Sequence, residues 1–172
     1  MRLSRKVAAF IRAARVAHLA TAATGGQPHV VPICFAFDGR ALYSAIDEKP
    51  KKTAPRKLKR VRNISFNPKV AIIVDRYDED WRRLAYVLIY GRARLLQKGL
   101  RHNAAITLLR RKYPQYRSMA LEARPIIVIS PIRAVSWGVF FSKDQRNVRG
   151  MITGKKGPVL QPSPASHKLT YF

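Results

Sequence analysis

An Asp38-Gly39 pair stands between two short apolar runs, residues 29–37 and residues 41–46. An Asp-Gly pair flanked in this way is the strongest hairpin signal that a short sequence carries, because the favoured turn needs a positive φ at its central positions. The two runs are therefore predicted to be antiparallel neighbours in one sheet.

Further segments have the short, apolar character of strands. They are the stretch that starts at Val16 and is broken at residues 25–28, and residues 70–74, 126–129 and 133–139, together with a longer run at 81–96 in which Gly91 is expected to mark a β-bulge. Apolar residues at three- and four-residue steps predict helices over residues 3–14, 56–66 and 100–113. The pattern predicts a mostly β fold with α insertions, an antiparallel barrel of about six strands rather than a parallel βαβ sheet.

The chain divides into two parts by composition. Its 172 residues, 47% of them hydrophobic, suit one ordinary domain, which we place at residues 1–141. Residues 142–172 hold glycines and prolines among scattered polar and basic residues, without a period that could bury a face. They are predicted to be a basic, flexible tail, and the alternative is an arm that docks on a partner subunit.

The charge of the chain is strongly one-sided. Lysines and arginines number 34 against nine acids, which gives a formal charge of +25. Such a charge indicates a polyanionic partner, whether nucleic acid, anionic lipid or a multiply charged cofactor, and does not choose among them. No apolar run is long enough to span a membrane, and Arg12, Arg15 and His18 interrupt the N-terminal segment before a signal peptide can form. We therefore expect a cytoplasmic protein.

Residues with catalytic or metal-binding spacing are missing from the sequence. There is no nucleophile elbow, no phosphate-binding P-loop and no paired cysteines, and the four histidines lack metal-ligand spacing. Cys34, the only cysteine, is expected to be a buried, inert thiol, with a reactive thiol as the alternative. We expect no metal, and infer that any chemistry belongs to a bound cofactor.

A basic segment is the most informative part of the chain. Eight cations lie between residues 49 and 62, and no acid occurs from Glu48 until Asp75. In the predicted helix, Arg56, Lys59, Arg60 and Asn63 share one face, which could hold a phosphate through charge-assisted hydrogen bonds. The alternative is a solvated basic face. No nucleic-acid motif accompanies the charge, so we expect no specific nucleic acid.

Longer stretches of sequence carry a family resemblance when they are taken in order. They are residues 15–22, 28–35, 42–51, 58–64 with Asn67-Pro68, 74–81, 91–95, 112–116 and 135–137. With these segments the chain resembles the pyridoxamine 5'-phosphate oxidase-like superfamily of FMN-binding split β-barrels, and within it the coenzyme F420-dependent enzymes of actinobacterial type. The tail beyond residue 142 lies outside the family pattern, which ends near Trp137.

The resemblance implies a homodimer whose cofactors lie in grooves between the subunits. It assigns the cofactor phosphate to Lys52, Lys57, Arg60 and Asn63. It places the ring system near Val31, Pro32 and Ile33 and along Ser44, Ala45 and Ile46, where edge backbone groups can hydrogen-bond it. Trp81 and Trp137 are candidate walls of this pocket, and the alternative is that both are core residues.

Two flavin-type cofactors compete for such a groove. Coenzyme F420, a deazaflavin with a phosphate and an oligoglutamate tail, suits the long basic run better than FMN, which presents one phosphate. The sequence therefore predicts an F420-dependent oxidoreductase that transfers hydride to a small organic substrate. The alternatives are an FMN-binding protein of the pyridoxamine-phosphate-oxidase type and a non-enzymatic carrier of a flavin or a haem.

Overall fold

The computed structural model describes residues 3–46 and 58–140, which contain three α-helices and seven β-strands. The helices are α1 (Arg5–Ala13), α2 (Lys59–Phe66) and α3 (Leu100–Lys112). The strands are β1 (Ala17–Ala22), β2 (Pro28–Ile33), β3 (Ala36–Phe37), β4 (Leu42–Ala45), β5 (Lys69–Arg76), β6 (Ala85–Leu96) and β7 (Ile126–Gly138). Short 3₁₀ turns lie at Trp81–Arg83, Pro114–Arg117 and Leu121–Ala123.

All seven strands of the described residues belong to one antiparallel sheet in the order β2-β1-β5-β6-β7-β4-β3. The two outermost strands, β2 and β3, are separated along the chain only by Cys34 and Phe35. A connection this short reaches about 10 Å at most, so the two edges of the sheet must approach each other. The sheet therefore curls into a barrel that is split between its edge strands.

Side chains alternate between the inside and the outside of the barrel. In β1, Ala17, Leu19 and Thr21 are buried, while the residues between them are half-buried. The same alternation in the other long strands fills the interior with aliphatic side chains, and Phe35 of the connection is fully buried among them. Helices α1 and α2 add Val7, Ile11, Val61 and Ile64 to this interior.

A second apolar cluster lies on the outer face of β4 and β7, under helix α3. Tyr43 and Ala45 of β4 and Val128 of β7 point away from the barrel interior and pack with Ile106 and Leu109 of the helix. The helix thereby covers one half of the outer face, and the half formed by β1, β5 and the first part of β6 lies outside this cluster.

Several predicted features are confirmed. All three helices are present, and the Asp38-Gly39 turn joins β3 to β4, with φ of 101° at Gly39. The carboxylate of Asp38 accepts hydrogen bonds from the backbone N–H groups of Arg40 and Ala41. The ladder between β6 and β7 shifts register between Tyr90 and Gly91, which is the predicted bulge.

Two predicted strand boundaries are wrong. Residues 29–37 form not one strand but β2 and β3, which lie at opposite edges of the sheet. Cys34 and Phe35 turn the chain across the split and so separate the two strands. The apolar run continues through this turn because Phe35 is buried like the inward-facing strand residues. Residues 126–129 and 133–139 are one strand, β7, since the register shift places Pro131 opposite Gly91, where the ladder is irregular.

The prediction for residues 142–172 lies outside the described residues. Within the described ranges, no helix has the length and apolar character needed to cross a membrane.

The C-terminal end of α3 holds the connection between the two edges. The backbone N–H of Phe35 donates to the Tyr113 hydroxyl oxygen at 3.0 Å, and this hydroxyl lies 2.7 Å from the carbonyl oxygen of Arg15. Next to it, the Lys112 ammonium group lies 4.1 Å from the centre of the Phe35 ring. The Lys112 nitrogen is buried and has no hydrogen-bond partner among the described residues, and burial lowers the pKa of this amine to about 8.

Replacing Gly91 by Ala is expected to destabilise the fold by about 1–3 kcal/mol, the usual cost of overpacking. A Cβ at Gly91 would lie 2.6 Å from the carbonyl oxygen of Ser130, which is backbone and cannot move aside cheaply. Urea denaturation measures the difference. Gly25→Ala is the control, because a Cβ there meets nothing within 4 Å. Equal stability of the two variants would contradict a close-packed bulge.

Replacing Lys112 by Met is expected to stabilise the fold at neutral pH and to remove part of its pH dependence. The pKa of Lys112 is lowered by burial and, next, by the charge of Arg15, from 10.5 to about 8. Between these values the unfolded chain binds more protons than the folded chain, so this lysine makes the free energy of unfolding rise with pH. Denaturation at pH 7, 8.5 and 10 tests this, with exposed Lys98→Met as the control. An identical pH dependence in wild type and Lys112→Met would contradict the burial of a charged amine.

Candidate functional site

Two cations at the start of α2 lie beside the edge strand β2. The pKa of His29, on the inner side of β2, is lowered by burial and then by the positive charges of Lys59 and Arg60. These charges can act on His29 only because the fold brings α2 against the end of the β1–β2 hairpin. The basic helix of the sequence analysis therefore lies at one end of the split, next to the exposed edge of the sheet.

A short chain of polar contacts fixes α2 to this hairpin. The Asn63 side chain is buried, and its amide nitrogen donates to the Thr21 hydroxyl at 3.0 Å. Thr21 in turn lies opposite His29 in the ladder, and its hydroxyl donates to the His29 carbonyl oxygen at 3.4 Å. Asn63 thus contacts β1 from the inner face of the helix, and these contacts set the direction in which Lys59 and Arg60 project.

The residues at the start of α2 suit a bound phosphate. The first turn of α2 contains no acidic residue, and its N-cap, Leu58, makes no side-chain hydrogen bond to the first turn. Residues 58–74 contain no carboxylate at all. Two cations and a helix N-terminus in a segment without acids favour a bound anion through both charge and hydrogen bonding.

The predicted ring-binding residues do not present their side chains to one surface. Val31 and Ile33 point inward from β2, whereas Pro32 is exposed on the outer face. In β4 and just beyond it, Ser44, Ala45 and Ile46 are all buried. The two segments have in common that one side of each strand has backbone groups outside the described ladders. In those ladders β2 pairs only with β1, and β4 pairs with β3 only at Leu42 and Tyr43.

The remaining predicted site residues are dispersed. Lys52 and Lys57 lie outside the described residues. Trp81 is 74% exposed in its 3₁₀ turn, so it is not a core residue. Trp137 is 54% exposed at the end of β7 and stacks on Tyr86. The ladder places Trp137 at the opposite end of the sheet from α2, so one chain does not bring the predicted wall and the predicted phosphate site together.

A groove that the sequence analysis did not foresee lies beside Trp137. It has a volume of about 330 Å³ on the outer face of the sheet, and its lining consists of His18, Ile73, Asp75, Arg76, Tyr77, Leu84, Ala85, Tyr86 and Trp137. His18 and Asp75 are 57 residues apart in the chain. They become neighbours through the register of β1 and β5, which pairs His18 with Ile73. No local pattern in the sequence could have joined them.

The outer face next to this groove is apolar and partly exposed. Val30 of β2 is 58% exposed and Val135 of β7 is 40% exposed. Between them lie Ile73 and Leu88, which are half-buried and stand in one row with Val135 across the ladder.

Within the described ranges, no group of three or more histidine, cysteine or acidic side chains could hold a metal ion.

Known proteins resemble this chain in sequence and in structure. A curated relative, the 5a,11a-dehydrotetracycline/5a,11a-dehydrooxytetracycline reductase of Streptomyces rimosus subsp. rimosus, is 29% identical over 140 residues, which are 81% of this chain and 85% of that protein. A crystal structure of the conserved hypothetical protein Rv2991 from Mycobacterium tuberculosis superposes with a TM-score of 0.65 at 18% identity, over 92% of this chain and 94% of that one.

A solved structure described as an F420 reductase has a TM-score of 0.55 and 25% identity, and covers 74% of this chain and 94% of that chain. The sequence profile described as pyridoxamine 5'-phosphate oxidase matches residues 3–138, which include every described strand and helix. The profile match and the split, curled sheet agree. The chain belongs to the pyridoxamine 5'-phosphate oxidase family of split β-barrels.

Proposed function

We propose that this protein is a homodimeric, cytoplasmic oxidoreductase that binds coenzyme F420 and uses it to reduce a small organic acceptor. The observation that carries the proposal is that Lys59 and Arg60, at the start of α2, lie near enough to His29 for their charges to lower its pKa, and that His29 belongs to β2, an edge strand of the described sheet. Two similar proteins support it: the Streptomyces rimosus relative is a reductase, and one structural neighbour is an F420 reductase.

The phosphate of the cofactor would be held at the start of α2. The guanidinium of Arg60 is planar and suits the oxygens of a phosphate, and Lys59 adds a second positive charge at the same end of α2. Lys52 and Lys57 precede this helix in the sequence and are proposed to complete the site. Asn63 contributes through its bond to Thr21, which keeps the helix in the orientation that directs these cations to the split.

The preference for F420 over FMN rests on the extent of the cationic surface. Beyond α2, Lys69 and Arg92 stand opposite each other in the ladder between β5 and β6, both exposed on the outer face. A cofactor with a phosphate and a row of carboxylates would make use of this surface, whereas the single phosphate of FMN would contact only its beginning.

The dimer would bring together the parts that one chain keeps apart. The apolar outer face lies between the α2 end and the Trp137 end of the sheet. A two-fold axis through that face reverses the strand direction of the second copy, so that the Trp137 end of one subunit meets the α2 end of the other. Each cofactor would then be gripped by one subunit and walled by its partner, while burial of Val30, Leu88 and Val135 stabilises the pair.

When bound, the deazaflavin supplies a hydride to the acceptor. The residues of this chain would hold the cofactor phosphate, offer backbone hydrogen bonds along β2 and β4 to its ring, and exclude water from the space between the subunits.

Replacing Arg60 by Ala is expected to weaken F420 binding by about 1–3 kcal/mol, the cost of one charge-assisted contact. The matched control is Arg62→Ala, because Arg62 is exposed on the same helix. Titrations with F420, FMN and haem, followed by absorbance, measure the affinities. Tight FMN binding without measurable F420 affinity would overturn the choice of cofactor, and unchanged F420 affinity in Arg60→Ala would place the phosphate elsewhere.

The same titration gives a second readout at His29. Its pKa is lowered partly by Lys59 and Arg60, so an anion bound between these cations should raise the pKa of His29. The NMR signal of the His29 ring, followed against pH with and without F420, reports this change, and Arg60→Ala should reduce it.

Placing an arginine at Val135 is expected to separate the dimer, because a charge would be buried in the apolar contact. Light scattering should give a mass near 19.5 kDa for Val135→Arg and about twice that value for the wild type. Thr107→Arg, on the exposed side of α3, is the control. A wild-type monomer, or a Val135→Arg dimer, would contradict the proposed contact.

A further inference from the structure

The groove beside Trp137 contains a histidine held next to a carboxylate. Nδ1 of His18 lies 3.6 Å from Oδ1 of Asp75, and both side chains are about half exposed on the outer face of the sheet. Because Asp75 faces Nδ1, the other ring nitrogen, Nε2, is the one left to meet a ligand. A carboxylate in this position fixes the orientation of the ring.

The walls of the groove suit a flat, uncharged molecule. The rings of Tyr86 and Trp137 stack with their centres 6.0 Å apart and their planes 24° from parallel. Ile73, Leu84 and Ala85 supply aliphatic surface. The guanidinium of Arg76, the one arginine of the lining, donates to the carbonyl oxygens of Arg83 and Val139. An aromatic wall with few polar groups binds planar conjugated rings well and anionic ligands poorly.

We propose that this groove binds the acceptor and that His18 donates the proton that completes its reduction, an inference that rests on the proposed function. For an enone, the hydride that reduced coenzyme F420 would supply, leaving the coenzyme oxidised by two electrons, would form a C–H bond at the β-carbon. The C=C π bond would break, and its electron pair would move onto the carbonyl oxygen as an enolate. Nε2 of His18 donates a proton to that enolate, so the acceptor gains two electrons and two hydrogens. In the single chain the His18 ring is about half exposed, and His18 regains its proton from solvent once the product has left the groove.

In this scheme His18 is a catalytic residue and Asp75 is a positioning residue. The charged and titratable groups that face His18 in the groove are Asp75 and Arg76 of β5, Tyr77 and Tyr86. Of these, Asp75 is the carboxylate paired with His18, so its replacement by Asn should lower kcat for acceptor reduction and leave KM nearly unchanged.

Binding is tested without the cofactor. The chain has two tryptophans, so Trp81→Phe leaves Trp137 as the single indole fluorophore, and Trp137→Phe leaves Trp81. Chromone, an uncharged bicyclic enone, is expected to quench the fluorescence of the Trp81→Phe protein in a saturable manner and to leave the Trp137→Phe protein without saturable quenching. Equal responses of the two proteins would overturn the groove as a binding site.

Proton donation is tested with chromone and reduced F420. His18→Ala should lower kcat by roughly 10²–10⁴-fold, with KM and the chromone affinity changed less than threefold, and added imidazole should restore part of the rate. His18→Gln should resemble His18→Ala in rate and keep the fold. Undiminished kcat in both variants would overturn the role of His18. Saturable quenching of Trp137 in a protein that binds no F420 would overturn the proposed function and support the groove.

Discussion

The fold depends on one short connection, Cys34 and Phe35, and on the hydroxyl group that holds it. This connection joins the two edge strands of the sheet, so the sheet cannot lie flat. Turning the chain there leaves a backbone N–H inside the protein, and the Tyr113 hydroxyl accepts its hydrogen bond. An unsatisfied buried N–H costs on the order of 1–3 kcal/mol, so this contact from α3 is part of what makes the split possible. Burial in turn raises the pKa of Tyr113 to about 12.

The sequence was sufficient for those features that local periodicity and turn chemistry determine. The helices follow from apolar residues at helical spacing, the β3–β4 hairpin from Asp38-Gly39, and the bulge from a glycine inside an apolar strand. The break at Cys34 and Phe35 could not be predicted, because both residues continue the apolar pattern and the partner that stabilises the turn is 78 residues away. Pro131 wrongly suggested a break between two strands. It is accommodated inside β7 because β4 pairs with β7 only as far as Ile129, and because the bulge opposite Gly91 tolerates a residue without an N–H.

Part of the candidate site could likewise be predicted from the sequence, and part could not. The positive charge of α2 could be predicted from the sequence. Its position beside the end of the β1–β2 hairpin could be seen only in the structure. Asn63 was assigned to the phosphate by helical spacing, and that assignment remains a prediction, since the structure places its amide nitrogen on Thr21. No local sequence pattern pairs His18 with Asp75, because the two residues are 57 positions apart in different strands. Their contact arises only when β1 and β5 align so that His18 stands opposite Ile73.

The separation of α2 from Trp137 itself argues for a site that needs two chains. Both lie on exposed parts of the molecule, and the apolar outer face stretches between them. The charges differ along the same axis: Asp75, Asp78, Glu79 and Asp80 lie at the Trp137 end together with Arg76, Arg82 and Arg83, whereas every charged residue of the segment 58–74 is a cation. A two-fold contact through the apolar face would set this end of mixed charge against the basic end of the other copy. Two basic ends would then not face each other, which lowers the electrostatic cost of pairing two chains of high positive charge. The anion site at α2 would be completed by the same contact.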